Sequence, residues 1–267
     1  MKKLLLVVVL AVVLGAFASC GGSDNDDVIR VTIGATPVPH MQILQYIRPF
    51  LLEEGIELVI VEFTDFHLPN PALAGGDIDA NYFQHVPFLN TTPQVNQLYM
   101  LGLVHIEPMG AYSFTINHID ELSHGATVAI PNDAANENRA LLLLQTHGLL
   151  AVDVPAGVNA SVSDISYNPL NLQFQTLDAA FLPRALDDPL IEMAIINTNH
   201  VLAATALDPM RDSLIRETTD SPYANGLTVR LEDVDNPVFA TILRHLQSER
   251  VRDFIWREYD GAVVPVF

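Results

Sequence analysis

Three polar side chains, Arg139, Asn197 and Asn225, are of types that bind charged groups of small molecules. A guanidinium binds a carboxylate through two parallel hydrogen bonds, and an amide offers both a donor and an acceptor. Arg139 lies in the first turns of a helix predicted after residues 131–133, where the helix N-terminus also favours an anion. Asn197 follows a predicted strand at Met193–Ile196, and ligands of open α/β sheets bind at such strand ends. Each residue also has a commoner structural role, as a surface ion pair for the arginine and as a turn or cap residue for the asparagines.

Phe83 and His85 form a second candidate pair, two residues apart in a predicted short strand. Side chains at this spacing project to the same face of a strand, so the ring and the imidazole would line one wall. The alternatives are core packing for Phe83 and a satisfied polar residue at a strand end for His85.

The sequence contains no motif of a common enzyme class. It has no G-x-S-x-G, no P-loop, no dinucleotide fingerprint and no H-E-x-x-H. We therefore predict no catalytic residues and no cofactor. Nine histidines are present, but none form a close pair with metal-ligand spacing, so we also predict no metal site. The histidines are His40, His67, His85, His105, His118, His124, His147, His200 and His245.

The N-terminus is typical of a secreted protein. A basic start precedes the apolar run Leu4–Ala18, which is too short to span about 30 Å of hydrocarbon and fits a signal peptide over residues 1–19. The only cysteine, Cys20, follows at once, and residues 20–27 have the composition of a flexible tether. This arrangement predicts an acylated thiol, although Phe17 stands where bacterial lipoboxes usually carry leucine. The alternatives are an ordinary signal peptide and an uncleaved anchor helix.

The chain is strongly acidic, with 32 acidic and 13 basic residues. Without Lys2 and Lys3 the mature chain would keep 11 basic residues and a formal charge of −21. So acidic a protein is a poor partner for nucleic acid, for anionic lipid surfaces and for ligands of net negative charge. A zwitterion escapes this objection, and solubility alone would also explain the acidity.

The body of the chain alternates strands and helices, which is the signature of a parallel α/β sheet. The first unit comprises a strand at 28–35, a helix at 40–54 and a strand at 58–63, followed by strands at 78–83 and 101–106 and a helix starting near Val86. The second unit has a strand at 126–130, a helix at 136–147 and the strand that precedes Asn197. A strand at 226–229 and one last helix over 236–259 complete the prediction.

Two α/β units with a late return indicate two lobes, with lobe 1 at 28–109 plus 227–267 and lobe 2 at 110–226. The patterning alone also allows a single doubly wound domain. Binding proteins with two lobes close on a ligand by a hinge.

Seven stretches of the sequence resemble the methionine-binding lipoprotein family, the MetQ or NlpA group of ABC-importer binding proteins. They cover nearly the whole mature chain in order. The stretches are 34–40 (GATPVPH), 62–70 (EFTDFHLPN), 76–85 (GDIDANYFQH), 130–145 with IPND and NENRALLLLQ, 182–188 (LPRALDD), 195–197 (IIN) and 221–225 (SPYAN).

The resemblance implies a periplasmic-binding-protein-like α/β fold with a two-stranded hinge, crossing between lobes near 107–112 and 223–228. It implies capture of L-methionine in the cleft for an ABC-importer permease and ATPase, by a monomer held to the extracytoplasmic membrane face through a lipid on Cys20. The residues implied to bind the ligand are Phe66, Phe83, His85, Arg139, Asn197 and Asn225. Phe66 stands where relatives commonly have tyrosine. The open alternatives are another amino acid, a short methionine-containing peptide, a metal-binding importer component and an enzyme.

Overall fold

The computed structural model describes residues 28–204 and 206–267. The predicted signal peptide, Cys20 and the tether to residue 27 lie outside this part of the chain. Within it, no helix combines the length and the apolar character needed to cross a membrane.

The first lobe is a six-stranded sheet in the order β13-β4-β12-β3-β1-β2. Strand β1 runs parallel to β2 and β3, whereas β12 is antiparallel to β3 and β4. The strands are β1 Ile29–Ala35, β2 Ile56–Glu62, β3 Ala80–His85, β4 Leu98–Ile106, β12 Ala224–Arg230 and β13 Val264–Pro265. The helices are α1 Gln42–Glu53, α2 Pro69–Gly75, α3 Val86–Leu89, α7 Pro237–Leu246 and α8 Glu249–Tyr259.

The second lobe is a five-stranded sheet in the order β11-β5-β10-β6-β9, with a two-stranded β7-β8 ribbon beside it. Strand β6 pairs in parallel with β9 and β10. The strands are β5 Gly110–Tyr112, β6 Thr127–Pro131, β7 Ala151–Val152, β8 Ile165–Tyr167, β9 Gln173–Leu177, β10 Ile191–Ile196 and β11 Ile215–Arg216. The helices are α4 Ala134–Thr146, α5 Leu182–Ala185 and α6 Thr198–Ala204.

The chain passes between the two sheets twice, after β4 and after β11. The architecture is therefore a two-lobed α/β fold with a two-stranded connection, as the sequence predicts. Strand β12 approaches β4 closely where it returns to the first lobe. A Cβ built on Gly226 would lie 2.2 Å from the carbonyl oxygen of Gly102, so only glycine fits at this bulge.

The predicted single helix over 236–259 is wrong, because it consists of two helices, α7 and α8. Ser248 between them has extended backbone angles of φ −80° and ψ 154°. Its hydroxyl donates to the carbonyl oxygen of His245, and its own carbonyl accepts from the N–H of Val251. Serine is a favoured residue at a helix start, and here it ends one helix and begins the next.

Each lobe has its own apolar core, and a third apolar cluster joins the two lobes. In the first lobe, Ile43, Ile47 and Leu51 of α1 recur at helical spacing and are fully buried against the sheet. The third cluster contains Phe66, Phe83 and Phe88 from the first lobe, which pack with Tyr112, Ala135 and Leu182 of the second. This cluster forms one end of the cleft described next.

Candidate functional site

A pocket lies between the lobes and encloses about 340 Å³ of space free of protein atoms, part of it open to solvent. Both lobes and both connections contribute to its walls. The lining residues are His40, Phe66, Phe83, Gln84, His85, Phe88, Glu107, Asn136, Arg139, Asn197, Thr198, Asn199 and Asn225.

All six residues that the sequence predicts as ligand contacts line this one pocket. Phe66, Phe83 and His85 come from the first lobe, Arg139 and Asn197 from the second, and Asn225 from the returning strand β12. Phe83 and His85 face the pocket together. The structure therefore brings the predicted set into one place, while its contact with a ligand stays a prediction.

Arg139 is placed by the start of helix α4. Asp133 caps this helix by accepting the backbone N–H of Asn136, and the extended backbone at Asp133 turns the chain into the helix. Asn136 and Arg139 are three residues apart, so they share one helix face, and that face borders the cleft.

The guanidinium of Arg139 is held on several sides. Its Nε and Nη2 donate to Glu217 Oε1 and Oε2 at 2.8 and 2.6 Å, and Nη2 also donates to the backbone oxygen of Glu107 at 2.8 Å. The Tyr223 ring lies 4.3 Å from the guanidinium carbon, within cation–π distance. The acid partner that is usual for an arginine is thus present. In the described part of the chain these hydrogen bonds use Nε and Nη2, and Nη1 makes none.

Asn136 connects the two lobes across the pocket. Its Oδ1 lies 2.9 Å from Asn197 Nδ2 and 3.3 Å from His85 Nε2, while its Nδ2 donates to both oxygens of Asp133 at 3.0 Å. With Asn197 Nδ2 committed to this bond, Asn197 Oδ1 is buried without a hydrogen-bond partner among the described residues. An acceptor of this kind suits an ammonium group.

His85 is held in one neutral tautomer. Its Nδ1 accepts the backbone N–H of Phe88 at 3.1 Å, so the proton resides on Nε2 and is donated to Asn136. Burial, with the nearby charge of Arg139, lowers the pKa of His85 to about 3. The imidazole is therefore uncharged at neutral pH and contributes shape and hydrogen bonding rather than charge.

A buried carboxylate, that of Glu107, also lines the pocket. Its Oε1 is 2.8 Å from His105 Nε2 and 3.2 Å from His40 Nε2. The other ring nitrogens meet hydroxyls, since His40 Nδ1 lies 2.7 Å from Thr36 Oγ1 and His105 Nδ1 contacts the Tyr82 hydroxyl. His105 Nε2 donates to the acid, whereas His40 Nε2 lies near the acid and has Asn225 Oδ1, at 3.4 Å, as its hydrogen-bond acceptor.

Burial raises the pKa of Glu107, against the opposing influence of His40 and Arg139. Burial also lowers the pKa of His40 to about 4 and that of His105 to about 3. At neutral pH both rings are therefore neutral donors, and no described cation forms an ion pair with this acid.

The far end of the pocket is aromatic. The ring centroids of Phe66, Phe83 and Phe88 lie 5.8 to 6.1 Å from one another. The His200 ring lies 4.9 Å from that of Phe66, tilted by 41°, and its Nε2 is buried without a partner in the described part of the chain. Such a wall accepts an unbranched apolar or thioether side chain.

Sequence reasoning missed several lining residues, above all Glu107, His40, Asn136 and Phe88. The stretches that carry the family resemblance contain His40 and Asn136, and a predicted crossing between the lobes begins at Glu107. Their position in the chain could therefore have marked them as candidate lining residues. Glu107 is one of 32 acidic residues, and nothing local distinguishes it from the others. His105 and Glu107 are two residues apart, but the third member of their cluster, His40, is distant in the chain.

Comparison with known proteins gives a consistent picture. Residues 31–267 match the family described as NlpA lipoprotein. The chain is 35 % identical over 273 residues to the methionine-binding lipoprotein MetQ of Bacillus subtilis, an alignment that covers 100 % of this chain and 99 % of the relative.

Two solved structures are similar over most of the chain. A nutrient-binding protein from Burkholderia cenocepacia bound to methionine superposes with a TM-score of 0.84 at 40 % identity, covering 89 % of this chain and all of that one. A periplasmic substrate-binding protein of an ABC transporter from Coxiella burnetii gives a TM-score of 0.83 at 36 % identity, covering 88 % of this chain and 100 % of its own.

Proposed function

Because this chain belongs to the NlpA lipoprotein family, we propose that it is an extracytoplasmic binding protein that captures methionine between its lobes and delivers it to an ABC importer. It is a binding protein rather than an enzyme. The methionine part of the proposal is supported by relatives such as the methionine-binding lipoprotein MetQ of Bacillus subtilis and the methionine-bound protein of Burkholderia cenocepacia. The transporter part of the proposal is supported by the Coxiella burnetii relative, a periplasmic substrate-binding protein of an ABC transporter.

One observation carries this proposal on the side of the structure. The pocket combines groups for both poles of an amino acid at one end with three phenylalanines at the other. Arg139 Nη1 suits the carboxylate, Asn197 Oδ1 and Glu107 suit the ammonium, and the Phe66–Phe83–Phe88 wall suits the thioether. Methionine has about nine heavy atoms, and a ceiling near 1.5 kcal/mol per atom makes nanomolar binding attainable.

Mass spectrometry of the ligand released on denaturing the purified protein tests the assignment directly. We expect methionine to be released. A thermal-shift screen of the amino acids, run on protein that has been unfolded and refolded to remove any ligand, should show its largest rise with L-methionine. A larger rise in the thermal midpoint with another amino acid, or with a methionine-containing peptide, would show that this compound and not methionine is the cargo.

We propose further that the chain is anchored by a lipid on Cys20, acts as a monomer and docks on a permease with its ATPase. The apolar segment followed by one cysteine supports the anchor. Expression of Cys20→Ser beside the native chain provides the test. The native chain should sediment with membranes and label with a palmitate analogue, and the variant should do neither.

A second candidate function is metal binding. His40, His105 and Glu107 place three ligand atoms within 4.8 Å of one another, a set that suits Zn²⁺. The hydrogen-bond chain described above accounts for the same three groups without a metal, so we favour the amino acid. Elemental analysis after dialysis without chelator separates the two, since one bound zinc per chain would establish the metal site.

A further inference from the structure

The two charged groups of the cleft differ in how their charge is balanced, and this difference bears on which ligand pole matters more. Arg139 forms a two-point ion pair with Glu217 in which the shorter distance is 2.6 Å. Its positive charge is therefore neutralised by the protein itself. A ligand carboxylate would join an ion pair that is already complete.

The Glu107 carboxylate has no cation of the described chain paired with it. Glu107 is 4 % exposed, and its carboxylate meets the imidazole rings of His40 and His105 and accepts the backbone N–H of Asn199, all of them uncharged partners. Asp133 adds a further carboxylate behind Asn136, where it accepts amide N–H groups. Among the described residues that line the pocket, Arg139 is the one permanent cation, and it is already paired with Glu217.

The unpartnered acceptor of Asn197 points to the same conclusion. Its Oδ1 is buried in the pocket wall without a donor among the described residues, while Arg139 has most of its donors occupied. A buried acceptor gains from any ligand N–H, and a buried acid gains most from a cation.

We propose that this pocket selects its ligand chiefly by a free amino group, which Glu107 and Asn197 bind, and that the ligand carboxylate contributes less. The inference rests on the proposed function and adds the ligand class, which is primary ammonium compounds with an unbranched apolar side chain. Methionine belongs to this class. Sulfur-containing acids that lack the amine do not.

Two analogues of methionine, each lacking one pole, test the proposal by calorimetry on the native chain. 3-(Methylthio)propylamine keeps the ammonium and lacks the carboxylate, and 4-(methylthio)butanoate keeps the carboxylate and lacks the amine. We expect the amine to bind at least about 10-fold more tightly than the acid, because the acid leaves Glu107 and Asn197 without a partner. Equal affinities, or tighter binding of the acid, would overturn the proposal.

Glu107→Gln then tests the residue itself. The amide oxygen can still accept from His105 Nε2, so the change removes charge with little change of shape. The preference for the amine over the acid should shrink to about 3-fold or less, and methionine should bind at least about 30-fold more weakly. Glu53→Gln, an exposed position on α1, is the matched control and should change neither quantity.

The results separate this inference from the proposed function. If the native chain binds neither methionine nor the analogues, the proposed function itself fails. If methionine binds and the two analogues do not differ, only the amine preference fails. An unchanged preference in Glu107→Gln, with circular dichroism showing a native fold, would remove Glu107 from the role. The analogue pair decides the question on the native chain even where the variant does not fold.

Discussion

The two ends of the cleft are built on different principles. At the polar end Arg139, Asn136 and His85 are each fixed by hydrogen bonds with named partners, most of them between 2.6 and 3.3 Å. At the aromatic end Phe66 and Phe83 are fixed only by packing, with ring centroids 6.1 Å apart. A directional network leaves an unpaired buried group whenever one member is lost, whereas a packed wall can adjust.

The contrast indicates that the polar end tolerates substitutions less well than the aromatic end does. Loss of one partner in a buried polar network costs the full desolvation of the group left behind. Loss of an aromatic contact costs only the contact and whatever space fails to close. Changes at the polar end should therefore cost more affinity than changes at the aromatic end.

The largest effect is expected for Arg139→Ala. The variant leaves Glu217, only 11 % exposed in its side chain, without its cation, and this cost adds to the smaller loss of the donor for the ligand carboxylate. Methionine affinity should fall at least about 100-fold. Titration calorimetry measures the loss, and circular dichroism checks the fold. Arg184→Ala, on the exposed face of α5, is the control and should bind as the native chain does.

Retention of affinity in Arg139→Ala would contradict the carboxylate contact. It would also remove the contrast between the two ends, because the polar network would then tolerate loss as the aromatic wall does.

Acid should weaken the polar end first, because its histidines are buried in the neutral form. The pKa of His105 is about 3 in the folded protein, against about 6.5 in an unfolded chain. Below pH 6.5 the His105 side chain is protonated in the unfolded chain but not in the folded protein, so the free energy of unfolding falls as pH drops. The loss is about 1.4 kcal/mol per pH unit for this group, continuing towards pH 3.

His105→Gln checks this slope. Urea unfolding between pH 6.5 and 4.5 should show a smaller acid-induced loss of stability than the native chain, by about 1.4 kcal/mol per pH unit. The raised pKa of Glu107 acts in the opposite direction, and the amide of the variant still offers this acid an N–H donor in place of the imidazole. His124→Gln, at an exposed position, should leave the native slope. An unchanged slope in His105→Gln would show that this ring is not held neutral by burial.

The sequence predicted the elements that carry the site but not the partners within it. The strand that ends before Asn197 and the helix of Arg139 follow from local apolar patterns, which reach only a few residues. The partner of Arg139 is Glu217, 78 residues away, and no local pattern can select it from so many acids. The break at Ser248 was missed because serine is also tolerated inside an amphipathic helix.

The strands β7, β8 and β11 were also beyond sequence reasoning, for a simple physical reason. Each has two or three residues, which is too short to show an alternation of period two. Their pairing depends on the neighbouring chain rather than on their own composition. The site residues could be predicted mainly because the family resemblance implies them. Which side chains contact each other across the cleft could be seen only in the structure.

At the aromatic end, Phe83→Leu should cost less methionine affinity than Arg139→Ala or Glu107→Gln. Leucine keeps the apolar surface and loses the aromatic edge, which is worth about 0.3 to 1.5 kcal/mol to a thioether sulfur. Methionine affinity should fall by no more than about 10-fold in calorimetry. The exposed Phe114→Leu serves as the control. A loss equal to that of Arg139→Ala would mean that the two ends are equally strict.

The smallest expected effect is on stability, from Phe66→Tyr. The Phe66 and His200 rings contact each other at a centroid distance of 4.9 Å, and His200 Nε2 is buried without a partner among the described residues. A tyrosine hydroxyl at this ring would offer that nitrogen a donor, and a typical intramolecular hydrogen bond adds about 0.5 to 1.5 kcal/mol. We expect the thermal midpoint to rise and methionine affinity to change less than in Phe83→Leu. His200→Phe removes the nitrogen, so adding Phe66→Tyr to that background should give no rise. A fall in the midpoint in the single variant would show instead that the hydroxyl overpacks the wall, and that the aromatic end is as exacting in shape as the polar end is in hydrogen bonding.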